Sequence, residues 1–238
     1  MGRVSCIIPA AGLSTRMGNG MNKLRLHLGG QPLISYAISE FERCEAVDEI
    51  VLVVRRDDQD WIMKEVMAAT SASKVVAVVE GGKTRQESVR RGLSYVSEGC
   101  DIVIIHDGAR PFVTQSLIQD VLVGAREHGA SVCAVPVKDT IKEVSEDGFV
   151  LKTLNRSVLW AVQTPQAFEK SILTAAHRLA EREGLEGTDD ASLVEHYGFP
   201  VKIVPGTYEN IKVTTKEDLY LAAAILSGRT RDEGRHWI

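Results

Sequence analysis

The chain has 238 residues, 44% hydrophobic and 25% charged, which suffices for one sizeable core in a single domain over residues 1–238. Its net charge of −4 and sequence pI of about 5.9 provide no whole-protein positive field, so we expect neither nucleic acid nor a membrane as a partner. The N-terminus enters a strand directly and no long apolar stretch occurs, so we expect neither a signal peptide nor a transmembrane helix.

The cysteines indicate a reducing compartment. The four residues are far apart and form no C-x-x-C pair: Cys6, Cys44, Cys100 and Cys133. This spacing suits free thiols better than a disulfide framework or a zinc site, and it predicts a cytoplasmic protein.

Short apolar runs predict buried strands at residues 4–8, 49–54, 74–79, 101–105, 131–135 and 201–204. Most of the segments between them have helical periodicity. Pro32 begins a predicted helix through Phe41. A second apolar helix face consists of Leu117, Ile118, Val121, Leu122 and Ala125. The alternation predicts an α/β fold with a mostly parallel sheet flanked by helices, and a ligand at the carboxyl ends of the strands.

The first strand runs into a loop of small residues that carries two cations. Ala10, Ala11 and Gly12 leave the backbone N–H groups accessible, and Arg16 and Lys23 follow. Such a loop can hold a triphosphate against the main chain while the cations neutralise its charge. The G-x-G-x-x-G pattern of dinucleotide-binding oxidoreductases and the G-x-x-x-x-G-K-[ST] pattern of P-loop enzymes are both missing, which disfavours those classes.

Asp107 follows the predicted strand at 101–105, in a turn that contains the permissive Gly108 and the rigid Pro111. This position brings its carboxylate to the ligand edge of the sheet, where it can support Mg²⁺ bound to phosphates. The alternative is a cap for the next helix, and a single Asp does not decide between the two roles.

Two segments depart from the alternation. Between residues 139 and 154, two β-prone runs flank Asp147-Gly148, whose tolerance of positive φ predicts a hairpin with a type I′ turn. An isolated hairpin is marginal in water, so it packs either on its own domain or on a second subunit, and the pattern favours neither. Residues 227–238 are rich in charge and glycine, which predicts a loose tail.

Ordered motifs along the chain carry a family resemblance. Pro9-Ala10-Ala11-Gly12, Arg16-Met17 and Lys23 are similar to the signature of sugar-nucleotide and polyol-phosphate nucleotidyltransferases. The other motifs are Gly81-Gly82 with Arg85 and Ser88, His106-Asp107-Gly108-Ala109-Arg110-Pro111, Val135-Pro136-Val137-Lys138-Asp139-Thr140, Trp160-Ala161-Val162-Gln163-Thr164-Pro165-Gln166, Thr188-Asp189-Asp190-Ala191 and Asn210-Ile211-Lys212-Val213-Thr214. Together they resemble the 2-C-methyl-D-erythritol 4-phosphate cytidylyltransferase family over nearly the whole chain. The resemblance implies a Rossmann-like nucleotidyltransferase domain.

The resemblance also implies a CTP site. Its contact residues would be Pro9, Ala10, Ala11, Gly12, Gly81, Gly82 and Ser88. Arg16 and Lys23 would hold the triphosphate and stabilise the transition state at the α-phosphorus. Lys83 follows Gly82 where the family pattern has an acidic residue, so main-chain groups are expected to select the cytosine.

For the acceptor, the resemblance implies binding of methylerythritol phosphate by Asp107, Arg110, Thr140, Arg156 and Thr164, with Lys212 as a third catalytic cation. Thr140 and Arg156 would come from the partner subunit of a homodimer, on a β-arm at residues 137–158. Mg²⁺ is the expected cofactor, with Asp107 as its candidate ligand.

The implied reaction joins CTP to 2-C-methyl-D-erythritol 4-phosphate in the non-mevalonate isoprenoid pathway, with release of pyrophosphate. His106 is expected to be structural, because the attacking phosphate oxygen is already ionised. A ribitol 5-phosphate cytidylyltransferase is the nearest alternative, although Asn155-Arg156-Ser157 and Thr188-Asp189-Asp190 favour the methylerythritol family. A CTP-binding sensor without catalysis is a third interpretation, which the three catalytic cations disfavour.

Overall fold

The computed structural model describes residues 2–12 and 22–233, with side chains as far as residue 229. The strands are β1 (Arg3–Ala10), β2 (His27–Leu28), β3 (Gln31–Pro32), β4 (Glu49–Val54), β5 (Val75–Glu80), β6 (Cys100–Ile105), β7 (Ala130–Pro136), β8 (Lys142–Val144), β9 (Val150–Thr153), β10 (Trp160–Glu169) and β11 (Lys202–Pro205). The helices are α1 (Leu33–Arg43), α2 (Gln59–Trp61), α3 (Met67–Thr70), α4 (Arg85–Leu93), α5 (Gln115–His128), α6 (Lys170–Glu183), α7 (Asp190–His196) and α8 (Lys216–Glu233), with a π-helical turn at Ile62–Val66 between α2 and α3.

The central sheet has the strand order β11-β7-β10-β6-β1-β4-β5. β1 pairs in parallel with β4 and β6, and β4 pairs in parallel with β5, so the predicted parallel arrangement is confirmed for this half. All six strands predicted from apolar runs are present; the bounds of β4 agree with the prediction, and the ends of the others differ by at most two residues. Parallel strands bring their carboxyl ends to one edge of the sheet.

The sequence pattern did not predict the short strands β2 and β3, nor β10 in the central sheet. β10 lies antiparallel between β6 and β7, and its register shifts between Val162 and Gln166. Polar residues and Pro165 interrupt its apolar pattern, and proline within a sheet is tolerated at such an irregularity. The sheet is therefore mixed at this position, and the irregular stretch of β10 contains Thr164, one of the predicted acceptor ligands.

Helices cover both faces of the sheet. Buried residues of α1 and α5 pack on one face, and those of α4, α6 and α7 pack on the other. The predicted helix after Pro32 is confirmed as α1, with Ile34, Ile38 and Phe41 fully buried. The predicted apolar face of α5 is buried along its length. No helix in the described ranges is long and apolar enough to cross a membrane.

β8 and β9 form the predicted hairpin, but the prediction of a type I′ turn is wrong. Gly148 has a positive φ of 84°, whereas Asp147 does not have a positive φ. The Gly148 N–H donates to the Ser145 carbonyl (3.0 Å), and the Ser145 N–H donates to the Phe149 carbonyl (2.9 Å). This is a type I turn that ends on a left-handed glycine, which adds one residue to the connection.

The prediction of a loose tail from Ser227 is also wrong as far as the structure describes it. α8 continues through Ser227 to Glu233, while residues 234–238 lie outside the described ranges. The Arg229 guanidinium stacks 5.0 Å from the Phe112 ring and donates to the Phe112 carbonyl (3.2 Å). This contact gives the charged end of the chain a tertiary partner, which composition alone does not reveal.

Candidate active site

A cleft of about 600 Å³ opens at the carboxyl ends of β1, β4, β5 and β6. All the residues predicted to bind CTP meet there with two predicted catalytic cations and one predicted acceptor ligand, and the cleft is lined by Pro9, Ala10, Ala11, Gly12, Lys23, Gly81, Gly82, Ser88, Asp107 and Lys212. The predicted acceptor ligands Arg110 and Thr164 lie behind Asp107 and are not part of the cleft lining. Arg55, Arg56, Lys83 and Arg85 add further positive charge to its wall. A set of cations around a narrow cleft suits a polyanionic ligand.

Glycine forms the floor of the cleft because no larger residue fits. A Cβ atom on Gly81 would lie 2.2 Å from the Ala11 Cβ and 3.0 Å from the Ser88 Oγ. The Ser88 hydroxyl accepts the Gly82 N–H (3.0 Å) and donates to the Thr84 carbonyl (2.9 Å). These bonds hold the β5–α4 turn together, and Gly81 packs closely against Ala11 after β1.

Asp107 joins two cations in the cleft wall. Its Oδ1 accepts from Arg85 Nε (3.1 Å), and its Oδ2 lies 2.6 Å from Lys212 Nζ. Burial alone raises the pKa of a carboxyl, but the charges of Arg85 and Lys212 outweigh it and hold the pKa of Asp107 well below its usual range. Asp107 is therefore ionised at neutral pH and orients Lys212 toward the cleft.

A second carboxylate, Asp190, approaches Arg85 from the far side. Its Oδ2 accepts from Arg85 Nη1 (2.7 Å), and its Oδ1 lies 3.0 Å from Nε2 of the buried His177. Burial opposes ionisation, but Arg85 and the His177 hydrogen bond lower the pKa of Asp190. Arg85 therefore lies between two carboxylates, which raise its own pKa despite desolvation.

Thr164 and His106 support the main chain at Asp107. The Thr164 hydroxyl accepts the Asp107 N–H (3.0 Å) and lies 3.2 Å from His106 Nδ1. His106 Nε2 lies 3.0 Å from the Arg110 carbonyl, which can only accept, so Nε2 carries the proton and Nδ1 accepts from Thr164. Burial lowers the pKa of His106 to about 4, so the ring is neutral at pH 7. These contacts fit the structural role expected for His106.

Arg110 and Lys212 come from segments that are bonded to each other. Arg110 Nη1 donates to the Asn210 carbonyl (2.6 Å), and Asn210 Nδ2 donates to the Thr164 carbonyl (2.8 Å). The Val213 N–H donates to the Ala109 carbonyl (2.9 Å). The segment that carries Lys212 is thus fixed next to the Asp107 turn, about 100 residues away in sequence.

Lys23 lines the cleft where the described chain resumes after the first loop. Its neighbour Asn22 is buried, accepts the Leu24 N–H (3.0 Å) and donates to Asp58 Oδ2 (2.5 Å). Arg25 Nε donates to Asp58 Oδ1 (2.8 Å). Both flanks of Lys23 are therefore tied to the segment after β4. Arg16, the other predicted phosphate ligand, lies outside the described residues.

Thr140 and Arg156 do not reach the cleft of their own chain. Both are exposed on the segment that contains the β8–β9 hairpin, and neither lines the cleft. Arg156 Nη1 donates to the Lys138 carbonyl (2.8 Å), which holds the two ends of that segment together. The structure thus separates these two residues from the other predicted acceptor ligands.

Arg85 and Asp190, the pair that holds Asp107 in place from behind, received no role from the sequence. Arg85 and Asp190 were noticed only as members of family motifs, Gly81-Gly82 with Arg85 and Thr188-Asp189-Asp190-Ala191. Their 105-residue separation hides the 2.7 Å contact between them. Their presence in motifs rich in charged residues is the one signal that could have prompted the assignment.

The donor set fits a magnesium ion that arrives with phosphates. In the described part of the chain no three His, Cys, Asp or Glu side chains come together as a metal-binding group. Asp107 has two hydrogen-bonded cations, and a carboxylate offers about four acceptor sites, so it can still supply one ligand. Mg²⁺ commonly takes one or two carboxylates and completes its shell with water and phosphate oxygens.

A larger groove of about 850 Å³ lies away from these residues. It is lined by Glu98, Asp101, Arg126, Lys170 and Arg178 among others. Charges of both signs are interspersed there, and Lys170 Nζ already donates to the Ser97 carbonyl (2.8 Å). We assign the functional site to the smaller cleft, where the cations converge on a glycine floor.

The mostly parallel sheet and this cleft define an α/β enzyme of the nucleotidyltransferase class. Residues 4–228 match the family model described as 2-C-methyl-D-erythritol 4-phosphate cytidylyltransferase. The chain therefore belongs to the 2-C-methyl-D-erythritol 4-phosphate cytidylyltransferase family.

The sequence similarity to individual relatives extends over nearly their whole length. The chain is 46% identical over 223 residues to the 2-C-methyl-D-erythritol 4-phosphate cytidylyltransferase of Caldanaerobacter subterraneus subsp. tengcongensis, covering 94% of this chain and 98% of the relative. It is 50% identical over 220 residues to that of Bacillus mycoides, covering 92% and 96%.

Solved structures share the fold. The crystal structure of 4-diphosphocytidyl-2C-methyl-D-erythritol synthase from Anaerococcus prevotii superposes with a TM-score of 0.84 at 33% identity, covering 95% of this chain and 99% of that one. The 2-C-methyl-D-erythritol 4-phosphate cytidylyltransferase of Thermus thermophilus gives a TM-score of 0.78 at 32% identity, covering 95% and 100%. The expected fold class is confirmed.

Proposed function

We propose that this enzyme joins CTP to 2-C-methyl-D-erythritol 4-phosphate, giving 4-diphosphocytidyl-2-C-methyl-D-erythritol and pyrophosphate in the non-mevalonate isoprenoid pathway. The observation that carries the proposal is the cleft, in which Lys23 and Lys212 line the same cavity as the Gly81-Gly82 floor. Family membership supplies the two substrates.

In this reaction an oxygen of the methylerythritol phosphate attacks the α-phosphorus of CTP. A new P–O bond forms, the bond from the α-phosphorus to the oxygen shared with the β-phosphorus breaks, and pyrophosphate leaves with that electron pair. The attacking oxygen is already ionised, so the protein supplies no general base. Its task is to position two anions and stabilise the added negative charge.

The cations divide this task between the substrates. Lys23, together with Arg16, holds the triphosphate and stabilises the α-phosphorus in the transition state. Lys212, which Asp107 orients through a 2.6 Å contact, binds the acceptor phosphate and brings it toward the α-phosphorus of CTP. Mg²⁺, when bound with CTP, neutralises phosphate charge, and Asp107 is its candidate protein ligand.

A homodimer completes the acceptor site in this proposal, through the β-arm at residues 137–158. The arm exposes apolar side chains at its tip, with Phe149 74% and Leu151 62% exposed. Exposed apolar clusters of this kind favour a protein partner. Covering them with a second copy would carry Thr140 and Arg156 away from their own chain and toward the partner's cleft.

The compartment remains an expectation from the sequence. We place the enzyme in the cytoplasm because its four cysteines are free and buried, which requires no oxidising environment.

Pyrophosphate release tests the reaction and the acceptor together. The protein is incubated with CTP and Mg²⁺ and with either 2-C-methyl-D-erythritol 4-phosphate or ribitol 5-phosphate. Faster turnover with the methylerythritol substrate is expected. Dominant turnover with ribitol 5-phosphate would overturn the acceptor, and CTP binding without pyrophosphate release from either acceptor would favour a sensor.

A further inference from the structure

A chain of hydrogen bonds runs from the core to the cleft. It begins at His177 in α6, which is 2% exposed, passes through Asp190 at the first residue of α7, and reaches Arg85 at the first residue of α4. From Arg85 it continues through Asp107 to Lys212. Three helices on one face of the sheet thus connect to the cation that faces the acceptor.

We propose that Asp190, held by His177, is a positioning residue for nucleotidyl transfer: it fixes the Arg85 guanidinium so that Asp107 keeps the orientation that presents Lys212. This inference rests on the proposed function. Asp190 touches neither substrate in it, and acts only through Arg85 and Asp107.

The geometry of Arg85 explains why a second carboxylate is needed. Its Nε binds Asp107 and its Nη1 binds Asp190, so two separate nitrogens fix the plane of the guanidinium. Without Asp190, the same planar group can turn and bind Asp107 through two nitrogens at once, because that is the preferred geometry of an Arg–carboxylate pair. Asp107 would then turn toward Arg85 and away from Lys212.

His177 keeps Asp190 in place. Its Nε2 donates to the Asp190 oxygen that Arg85 does not use, and within the described structure its Nδ1 has no hydrogen-bond partner. Nε2 carries the donated hydrogen, because the ionised Asp190 carboxylate can only accept. Charge also balances along the chain: the carboxylates of Asp107 and Asp190 oppose the cations of Arg85 and Lys212.

Asp190→Asn is the primary test, because it keeps the shape while one carboxylate oxygen becomes a donor that faces either Arg85 or His177. We expect kcat to fall about 10- to 100-fold, the usual effect of losing an outer contact that orients a reacting group. The KM for CTP should change by less than about threefold, since Asp190 is not among the residues that line the cleft.

Glu49→Gln is the matched control for a purely structural effect. Glu49 is also a buried carboxylate, 1% exposed, and it accepts from Ser5 Oγ (2.5 Å) and the Ser97 N–H (2.8 Å) at the other end of the sheet. Both variants should lower the melting temperature, but Glu49→Gln should retain the kcat of the wild type. An Asp190→Asn enzyme with a lowered melting temperature and unchanged kcat would overturn the proposal.

A double-mutant cycle with Arg85→Gln tests the route. If Asp190 acts through Arg85, adding Asp190→Asn to Arg85→Gln should lower kcat by less than about twofold more. Multiplication of the two separate losses would contradict the route. Wild-type enzyme that released no pyrophosphate would instead contradict the proposed function, before any variant is compared.

His177 provides a second test should Asp190→Asn fail to fold. His177→Gln keeps a nitrogen donor close to the Nε2 position, whereas His177→Phe fills the space without a donor. We expect His177→Gln to retain at least about fivefold more kcat than His177→Phe, measured on folded protein. Equal kcat values for the two variants would overturn the positioning role.

Discussion

The Lys212 ammonium and the Asp107 carboxylate form an ion pair, with Nζ 2.6 Å from Oδ2, on one wall of the nucleotide cleft. The Asp107 side chain is 10% exposed, while the Lys212 side chain is 36% exposed and lines the cleft. The buried partner therefore fixes the direction of the accessible one. An incoming phosphate meets a lysine that is already oriented, so little conformational entropy is lost when it binds.

Replacing Lys212 should therefore impair chemistry more than folding. We expect Lys212→Met to lower kcat by at least about 100-fold, the scale of losing a preorganised contact to developing charge. Steady-state pyrophosphate release measures the change, and circular dichroism monitors the fold. Lys64→Met, at an exposed lysine outside the cleft lining, is the control. A Lys212→Met enzyme with near wild-type kcat would remove this residue from the mechanism.

Gly81→Ala should close the floor of the cleft. Its new Cβ would lie 2.2 Å from the Ala11 Cβ, and overpacking of this kind costs about 1–3 kcal/mol. We expect the Kd for CTP, measured by calorimetric titration, to rise about 10-fold or more. Gly99→Ala is the control, because no described heavy atom lies within 4 Å of its added Cβ. Equal CTP affinity in the two variants would count against the floor assignment.

The activity should require a divalent cation. Excess EDTA should abolish pyrophosphate release, and Mg²⁺ should restore it, because the candidate site offers a hard carboxylate oxygen beside phosphates. Chelation should leave the melting temperature of the substrate-free protein unchanged, since no group of three metal-binding side chains occurs in the described ranges. Full activity in EDTA, or recovery with Zn²⁺ alone, would disprove the magnesium assignment.

A site shared between two chains makes a quantitative prediction. If Lys23→Met and Arg156→Met homodimers are each inactive, a mixed dimer contains one site with both defects and one with neither. Random pairing makes half the dimers mixed, so activity should recover to roughly a quarter of wild type. Mass spectrometry would establish that subunits have exchanged. Exchanged dimers without activity would show that each arm serves its own chain, or neither cleft.

α8 should depend on a reciprocal cap at its start. Asp218 Oδ2 accepts the Thr214 N–H (2.7 Å) and the Thr215 N–H (2.8 Å), and the Asp218 N–H donates to Thr215 Oγ1 (3.4 Å). We expect Asp218→Asn to lower the free energy of unfolding by about 1 kcal/mol at pH 7, measured by urea denaturation. Asp120→Asn, at an exposed position on α5, should change it by less than about 0.5 kcal/mol.

The stability difference between the wild type and Asp218→Asn should depend on pH. Burial opposes ionisation of Asp218, but the N–H donors of Thr214 and Thr215 lower its pKa below the ordinary 3.8. A lowered folded-state pKa stabilises the protein above the unfolded value, and that contribution disappears as the pH falls below it. The stability difference between wild type and Asp218→Asn should therefore be constant from about pH 7 to 5 and shrink below about pH 4. A difference that grew on acidification would refute the cap.

Sequence reasoning predicted the local parts of this enzyme better than its long-range contacts. Buried strands such as β4 are continuous apolar runs, and α1 shows one clean apolar face, so both follow from periodicity. β10 carries polar residues and Pro165 in its middle, at the irregularity next to the site, and periodicity therefore misses it. The hairpin was predictable, but its turn type was not. A type I′ turn needs a positive φ at both Asp147 and Gly148, and only Gly148 has one.

In the candidate site, too, the local features were predictable from the sequence and the long-range contacts were not. Small residues and cations that share one loop, such as Ala11 and Lys23, are close in sequence, so they can be assigned to one site from the sequence alone. The contact of Arg85 with both Asp107 and Asp190 joins segments 22 and 105 residues away, and it depends on how helices pack across the sheet. A composition or a spacing rule contains no information about such pairs.

The ion pair of Lys212 with Asp107 should also make the cleft selective among anions. A small anion such as chloride or inorganic phosphate reaches Lys212 only by competing with a carboxylate already bound to it, and it gains few other contacts in exchange. A phosphate ester that is also held through its carbon chain gains enough to succeed in that competition. Free inorganic phosphate should therefore inhibit the enzyme only weakly.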